Sequence, residues 1–343
     1  MKLIIQIPCY NEEKTLPIAY ADLPAHIDGV DEIETLIIDD GSRDSTVEVA
    51  RELGVNHIVR FPNNRGLAKG FMAGMDACLR LGADVIVNTD GDNQYDGACI
   101  AALVRPILEG RAEVVVGDRD TDSVAEFSPF KKRLQKLGSG VVRRAAGTNV
   151  TDTTSGFRAY SRDAAMRLNV LSEYSYTLET IIDAGNRKVA IANVPIRTNA
   201  KLRESRLFKS IPSYIKRSSA TIIRNYVQRH SFAVFLTMAL FSFIVGMVPA
   251  VRYLYYFFHG SPGGHVQSLI LASILITIAV VLFVFAFLSD MIASNRKVLD
   301  EILYRVKKNE YDHTDIEAAA KAYRGPASVE QQPPVEHKQG VSV

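Results

Sequence analysis

The sequence predicts an α/β protein: a domain on a mostly parallel sheet, followed by an interfacial helix and a two-helix transmembrane hairpin. Three patterns predict it. Through the first half, short runs rich in Val and Ile alternate with helix-length amphipathic stretches, as in successive β-α-β units. Two later runs, Phe232 to Val251 and Val266 to Ser289, carry no charged residue, and each reaches the roughly 20 residues that a membrane-crossing helix needs. Between the two patterns lies a cationic stretch: Lys201, Arg203, Arg206, Lys209, Lys216, Arg217 and Arg224 are opposed only by Glu204.

In chain order, strands are expected at Leu3 to Ile7, Thr35 to Ile38, His57 to Phe61, Val85 to Asn88, Glu113 to Val116 and Val189 to Pro195. Helices are expected near Thr15 to His26, Ser45 to Leu53, Leu67 to Leu81 and Ala98 to Glu109. These elements make a first domain at 1–208. At 209–230, Ile211, Tyr214, Ile215, Ile222, Ile223 and Tyr226 recur at helical spacing against Lys216, Arg217 and Arg224, which fits a helix lying in a membrane interface. The two spans occupy 231–290. The tail at 291–343 is polar beyond Lys308 and expected to be without structure past about Arg324.

The chain has 343 residues, and its 40 basic side chains nearly cancel 38 acidic ones, so net charge alone assigns no partner. The local cationic stretch faces anionic lipid or phosphate, and because it runs into an apolar segment, a membrane surface is favoured over nucleic acid. Cys9, Cys78 and Cys99 have no paired spacing, so neither a disulfide framework nor a zinc site is suggested. The apolar run after Lys2 is too short for a secretory signal. Arg224 and Arg229 precede the first span and Arg296, Lys297, Arg305, Lys307 and Lys308 follow the second, while the connecting loop offers only Arg252. The expectation is a protein crossing the membrane twice with both termini and the first domain cytoplasmic, and with Tyr253, Tyr255 and Tyr256 in the far interface. Two buried core helices are the competing reading of the apolar runs. A homo-oligomer packed through the spans is compatible with the sequence.

In open α/β sheets ligands bind beyond the carboxyl ends of the strands, so the residues just after each expected strand are the candidates for chemistry. After the first strand comes Pro8-Cys9-Tyr10-Asn11-Glu12-Glu13. Tyr10 can stack on a nucleobase and Glu12 can accept from ribose or base edges; Asn11 can equally cap the next helix. After the second comes Asp39-Asp40-Gly41-Ser42, two carboxylates that repel one another unless a ligand or cation uses them; Ser42 or Asp44 can also serve as a cap. Asn64 to Gly70 opens a helix whose free amides, with Arg65 and Lys69, make an anion site suited to a diphosphate. It lacks the Walker arrangement, so a P-loop ATPase is not supported. After the fourth strand comes Asp90-Gly91-Asp92-Asn93-Gln94, where one acid can bind a sugar or ribose hydroxyl and the other a hard cation bridging a diphosphate.

Taken in order with Asp152-Thr153-Thr154-Ser155-Gly156-Phe157-Arg158, these motifs resemble the family 2 (GT-A fold) glycosyltransferases over about residues 1–229. Within them the chain is similar to the polyprenyl-phosphate glycosyltransferases, the group of dolichol-phosphate mannose synthase and bactoprenol glucosyltransferases. The resemblance implies that Pro8, Tyr10, Glu12 and Asp39 hold the nucleoside, joined by Asn11, Asp40, Gly41 and Lys69 in the candidate nucleotide-binding set. It implies that Asp90 contacts the donor, that Asp92 and Gln94 ligate Mg2+ or Mn2+, and that Arg119 lies beside the donor and acceptor phosphates. Asp90, Asp92 and Arg119 are thus the candidate catalytic residues. Ser155, Gly156 and Arg158, with Arg203, Ser205 and Arg206, are implied to bind a polyisoprenyl phosphate acceptor. The implied reaction moves a sugar from a UDP- or GDP-sugar with inversion. A lipid phosphate is anionic near neutral pH and needs little general-base help, so no catalytic histidine is required. A processive polysaccharide synthase is disfavoured, because its Gln-X-X-Arg-Trp motif needs a tryptophan and the chain has none. A catalytically idle membrane-anchored nucleotide-binding scaffold, or transfer to another membrane acceptor, is the alternative.

Overall fold

The computed structural model describes residues 1–119, 147–170, 176–200, 230–260, 265–312 and 328–331, with a few isolated positions between them. It falls into two compact units, Met1–Ile222 with Tyr304–Val343, and Ile223–Leu303. Nearly all of the interfacial helix expected at 209–230, and the candidate acceptor residues Arg203, Ser205 and Arg206, lie outside the described residues.

The first unit is built on one sheet. Its strands are β1 (Lys2–Cys9), β2 (Glu32–Asp39), β3 (His57–Arg60), β4 (Val85–Asn88), β5 (Val114–Asp118), β6 (Arg158–Ser161), β7 (Ile191–Pro195) and β8 (Ser328–Gln331), in the spatial order β7-β5-β6-β4-β1-β2-β3-β8. Pairing is parallel from β4 through β1 and β2 to β3, and between β5 and β7, while β6 lies antiparallel between β4 and β5. The tail, expected to be without structure past about Arg324, instead adds β8, whose backbone pairs antiparallel with the open edge of β3. The helices of this unit are α1 (Leu16–Ala21), α2 (Thr46–Glu52), α3 (Leu67–Arg80), α4 (Ile100–Leu108), α5 (Arg162–Arg167) and α6 (Tyr176–Asn186).

Strands covered on both faces read as continuous apolar runs, and β1 is buried at nearly every position. Because side chains alternate across a strand, Ile4 packs with Leu36, Ile38, Phe71 and Tyr176 on one face. Leu3, Ile5 and Ile7 pack with Val87, Ile100, Leu103 and Phe157 on the other. The parallel register sets Cys9 beside Asp39 and Gln6 beside Asn88, so three strands end together and their following turns share one rim. β6 runs the other way with Arg158 opposite Asn88, and therefore brings the 152–157 turn to that same rim.

The second unit holds α7 (Ser231–Phe258) and most of α8 (Val266–Asp312), both long and apolar enough to cross a membrane by length and composition. The two pack antiparallel within it: Phe232 meets Phe287 edge to face at 5.6 Å, Ser242 Oγ donates to the Leu275 carbonyl at 2.9 Å, and Tyr256 stacks on His265 at 3.7 Å. Small residues line the contact, with Ala239, Ala272, Ala279 and Ala286 buried, as expected where helices gain by close van der Waals approach rather than by hiding apolar surface from water. Large apolar side chains such as Phe241, Ile244, Val248 and Ile278 are exposed.

The last turns of α8, from Tyr304 onward, belong to the first unit and close on α3 and α5. Tyr304 donates to Asp163 and Tyr311 to Asp76; Arg80 pairs with Glu310 at 2.8 Å, and the Arg167 guanidinium lies 3.9 Å over the Tyr304 ring.

Candidate active site

The rim is assembled from reciprocal backbone and side-chain bonds between turns. Asn11, at φ 56°, receives its partner turn twice: its amide donates to Ser42 Oγ at 2.9 Å, and its Oδ1 accepts from the Arg43 amide at 2.8 Å. The Glu12 amide donates to Thr46 Oγ1 at 2.8 Å, and Glu13 exchanges bonds with Asp44 and the Ser45 amide. Glu12 is buried, its Oε2 accepting from Thr15 at 2.7 Å. Pro8 and Tyr10 are half-buried beside it.

At the end of β2, Asp39 is fully buried. Its Oδ1 accepts from the Ser42 amide at 3.0 Å; its Oδ2 lies 3.4 Å from Arg60 Nε and has no hydrogen-bond partner among the described residues. A buried carboxylate oxygen with an unfilled acceptor site suits an N–H or O–H of a ligand. Asp40 instead braces the backbone, its two oxygens accepting from the amides of Arg65 at 2.7 Å and Gly66 at 2.9 Å and so tying the 63–66 turn to β2. Burial raises its pKa above the ordinary value against the opposing pull of those amides. Gly41 holds φ 72°, and a Cβ there would meet the Asn63 carbonyl carbon at 2.5 Å, so only glycine fits between the turns. The same tie sets the start of α3. Its N-terminal flank, Gly66, has no side-chain cap, and Lys69 is exposed in the first turn.

The acidic turn after β4 touches both neighbours. A Cβ at Gly91 would lie 3.0 Å from Cys9 Sγ and 3.5 Å from the Pro8 carbonyl, so this turn packs on the Pro8–Glu12 turn. Asp92 Oδ1 accepts from the Gln94 amide at 3.2 Å across Asn93, which sits at φ 56°. Asp90 faces Gly156: a Cβ there would stand 3.2 and 3.3 Å from its two carboxylate oxygens. Ser155 and Gly156 are buried, and Tyr95 Oη accepts from the Gly156 amide at 3.0 Å. Burial pushes the Tyr95 phenol up to about 12.

Past β5, Arg119 is locked to the 152–154 turn. Nε and a terminal nitrogen donate to Asp152 at 2.6 and 3.0 Å, and that nitrogen also donates to Thr154 at 2.8 Å. Burial opposes the guanidinium charge, but Tyr95, Asp152 and Asp90 more than offset it and hold its pKa above the ordinary value. Burial likewise works against the Asp152 carboxylate; the Arg119 charge and hydrogen bonds, with Thr154, leave it below its ordinary value.

The structure therefore gathers Pro8, Tyr10, Asn11, Glu12, Asp39, Asp40, Gly41, Lys69, Asp90, Asp92 and Gln94 on the turns of one rim, with Arg119 and Ser155–Gly156 at its far side. Arg158 departs from its expected place in the acceptor pocket. It is 0% exposed, and its guanidinium donates to the carbonyls of Ser155 and Thr153 and to Thr180 Oγ1, so it acts as a strut inside the turn. Asp40 similarly braces the 63–66 turn. Sequence reasoning assigned no role to Asn88, Tyr95, Asp152 or Tyr176, all of which hold the site in shape.

No group of three or more His, Cys, Asp or Glu side chains is placed to hold a metal ion among the described residues. Asp90, Asp92 and Gln94 offer oxygen donors alone, the chemistry a hard cation wants, but too few to close its shell. By donor type they fit part of the shell of a divalent cation.

A sequence profile of glycosyl transferase family 2 matches residues 4–168. A UDP-N-acetylglucosamine–dolichyl-phosphate N-acetylglucosaminyltransferase of Methanococcus voltae is 34% identical over 217 residues, which cover 56% of this chain and 83% of the relative. A dolichyl-phosphate hexose transferase of Haloferax volcanii is 32% identical over 209 residues, covering 60% of this chain and 86% of the relative. Among solved structures, the glucosyl-3-phosphoglycerate synthase of Mycobacterium tuberculosis, in complex with Mn2+, UDP and glucosyl-3-phosphoglycerate, shares the fold with a TM-score of 0.51 at 22% identity, over 66% of this chain and 79% of that one. The acidic turns on the rim of a mostly parallel sheet are thus those of a glycosyltransferase. The chain belongs to glycosyl transferase family 2.

Proposed function

We propose that the protein transfers a glycosyl group from a nucleoside diphosphate sugar to a polyprenyl phosphate, with inversion and with a divalent cation, at the cytoplasmic face of a membrane crossed by α7 and α8. The observation that carries this reading is the meeting, on one rim, of a carboxylate turn suited to a sugar diphosphate and a largely buried arginine suited to phosphate, in a chain with two long apolar helices. Relatives named for dolichyl-phosphate acceptors support the choice of acceptor.

The chain's own groups account for each step. Asp39, with its unfilled buried oxygen, and Tyr10 hold the nucleoside. Lys69 and the uncapped start of α3 take diphosphate charge. Asp92 and Gln94 would hold Mg2+ or Mn2+, which when bound neutralises the departing nucleoside diphosphate. Asp90 orients the sugar. Arg119 meets the acceptor phosphate, whose oxygen attacks the anomeric carbon as the bond to the diphosphate oxygen breaks on the opposite face. Arg203 and Arg206, outside the described residues, grip the lipid phosphate.

The test is incubation of purified protein with a panel of nucleotide-sugars and undecaprenyl or dolichyl phosphate, with the lipid product identified by mass. Asp92→Asn keeps side-chain size and is expected to lower transfer by more than about a thousandfold while the protein stays folded. Full activity in that variant would refute the metal assignment. Neutralising Arg203 and Arg206 is expected to raise the KM for the lipid and leave nucleotide affinity unchanged; equal damage to both would refute their acceptor role. Nucleotide binding without transfer to any lipid would favour the scaffold alternative.

A further inference from the structure

A buried polar network stands directly behind the acidic turn. Asn88, the last residue of β4, is fully buried and uses its whole amide: Oδ1 accepts from Gln6 Nε2 at 2.9 Å, and Nδ2 donates to the Gly156 carbonyl at 2.8 Å and to Tyr176 Oη at 2.9 Å. Tyr176 is fixed in turn, its ring stacked on Phe71 of α3 at 3.9 Å and 4°. Burial, then the nearby Asp90 charge, keeps its phenol protonated. Its hydroxyl reaches the Gly156 carbonyl at 3.4 Å. Gly156 is therefore gripped on both sides, its carbonyl by Asn88 and Tyr176 and its amide by Tyr95.

An asparagine at a strand end could be no more than a satisfied core group. Two features set this one apart. It lies two residues before Asp90, and the glycine it grips is the one whose bare Cα faces the Asp90 carboxylate, where a Cβ would come within 3.2 Å. A shift of that glycine by a few tenths of an ångström would move the wall against which Asp90 rests.

We infer that Asn88 and Tyr176 are positioning residues that lock the 152–158 turn to the Asp90–Asp92 turn, so that the acceptor side and the donor side of the site are held at one fixed spacing. The inference rests on the proposed transfer reaction. The network acts on the alignment of the two substrates and not on the binding of either, so its loss falls on kcat.

The experiment compares Tyr176→Phe, which keeps the stack on Phe71, with Gly156→Ala and the double variant. Tyr176→Phe is expected to lower kcat by about tenfold or more with the nucleotide-sugar KM within about twofold, the split that separates alignment from binding. Gly156→Ala places a methyl 3.0 Å from Tyr176 Oη and lowers kcat further; removing that oxygen in the double variant is expected to restore at least about threefold over Gly156→Ala. Amide hydrogen exchange across 152–158 is expected to quicken about tenfold in Tyr176→Phe while β1 and α3 keep their protection. Wild-type kcat with unchanged exchange in Tyr176→Phe would overturn the inference, as would a loss confined to the amount of folded protein. If the wild type transfers no sugar to any lipid, the functional reading fails instead, and unchanged exchange would still refute the lock.

Discussion

Replacing Asp152 by alanine tests the central ion pair of the site. Asp152 is 1% exposed and receives Arg119 twice, at 2.6 and 3.0 Å. Its Oδ1 also accepts from the amides of Thr154 and Ser155, both at 3.1 Å. Alanine would leave a guanidinium only 11% exposed with Thr154 as its remaining described hydrogen-bond partner and strip two amides of this acceptor. Removing one member of a buried pair destabilises by about 3–5 kcal/mol. For a unit of this size that lowers the melting temperature by about 6 to 20 °C. The measurement is calorimetry of the detergent-solubilised protein, since a chain without tryptophan gives only tyrosine fluorescence to follow. The double variant Arg119→Met with Asp152→Leu removes both charges and is expected to melt above Asp152→Ala. The folded carboxyl titrates below its ordinary 3.8, so its contribution is complete above that value and is lost as pH falls through the lower folded value. The gap between wild type and Asp152→Asn should therefore stay constant from about pH 5 to 9 and close only in acid. A melting temperature within about 2 °C of wild type for Asp152→Ala would refute the argument.

Three further outcomes follow from the geometry. Asp40→Ala frees the amides of Arg65 and Gly66, and is expected to weaken nucleoside diphosphate binding by about tenfold in titration calorimetry, through loosening of the 63–66 turn. Gly41→Ala combines a left-handed φ of 72° with a 2.5 Å clash on Asn63, and is expected to destabilise by about 2–5 kcal/mol in denaturant unfolding. Tyr311→Phe removes the hydroxyl bond to Asp76 but keeps the ring beneath Arg80, and is expected to lower the melting temperature by about 2–4 °C.

Much of the fold could be read from apolar runs. β1 to β5 appear where Val and Ile cluster, because strands covered on both faces demand that composition, while the more exposed β7 falls within the expected Val189 to Pro195. β6 escaped because it has four residues and opens on Arg158, a charge that no burial pattern would place in a core; its strand character comes from hydrogen bonds to β4 and β5. α1 ends at Ala21, short of the expected His26, since Pro24 turns Leu23 away from helical geometry and the Asp22 carboxylate is drawn to the Gly97 amide at 2.8 Å. α6 was missed for a related reason: Glu179 and Thr180 are buried on it and dilute its apolar periodicity. The site shows the same division. Carboxylates placed just past strands announce themselves, whereas Asn88, Tyr95, Asp152 and Tyr176 act through partners far away in sequence. The one local sign was an asparagine closing the otherwise apolar run Val85 to Val87.

The reciprocal bonds of Asn11, Glu12 and Glu13 to the 42–46 turn have a thermodynamic consequence. They are made entirely within the chain, so the loss of loop entropy is incurred during folding and not when a nucleotide arrives. That part of the rim is in place before any ligand arrives, so binding there carries no further cost of ordering the 11–13 and 42–46 turns.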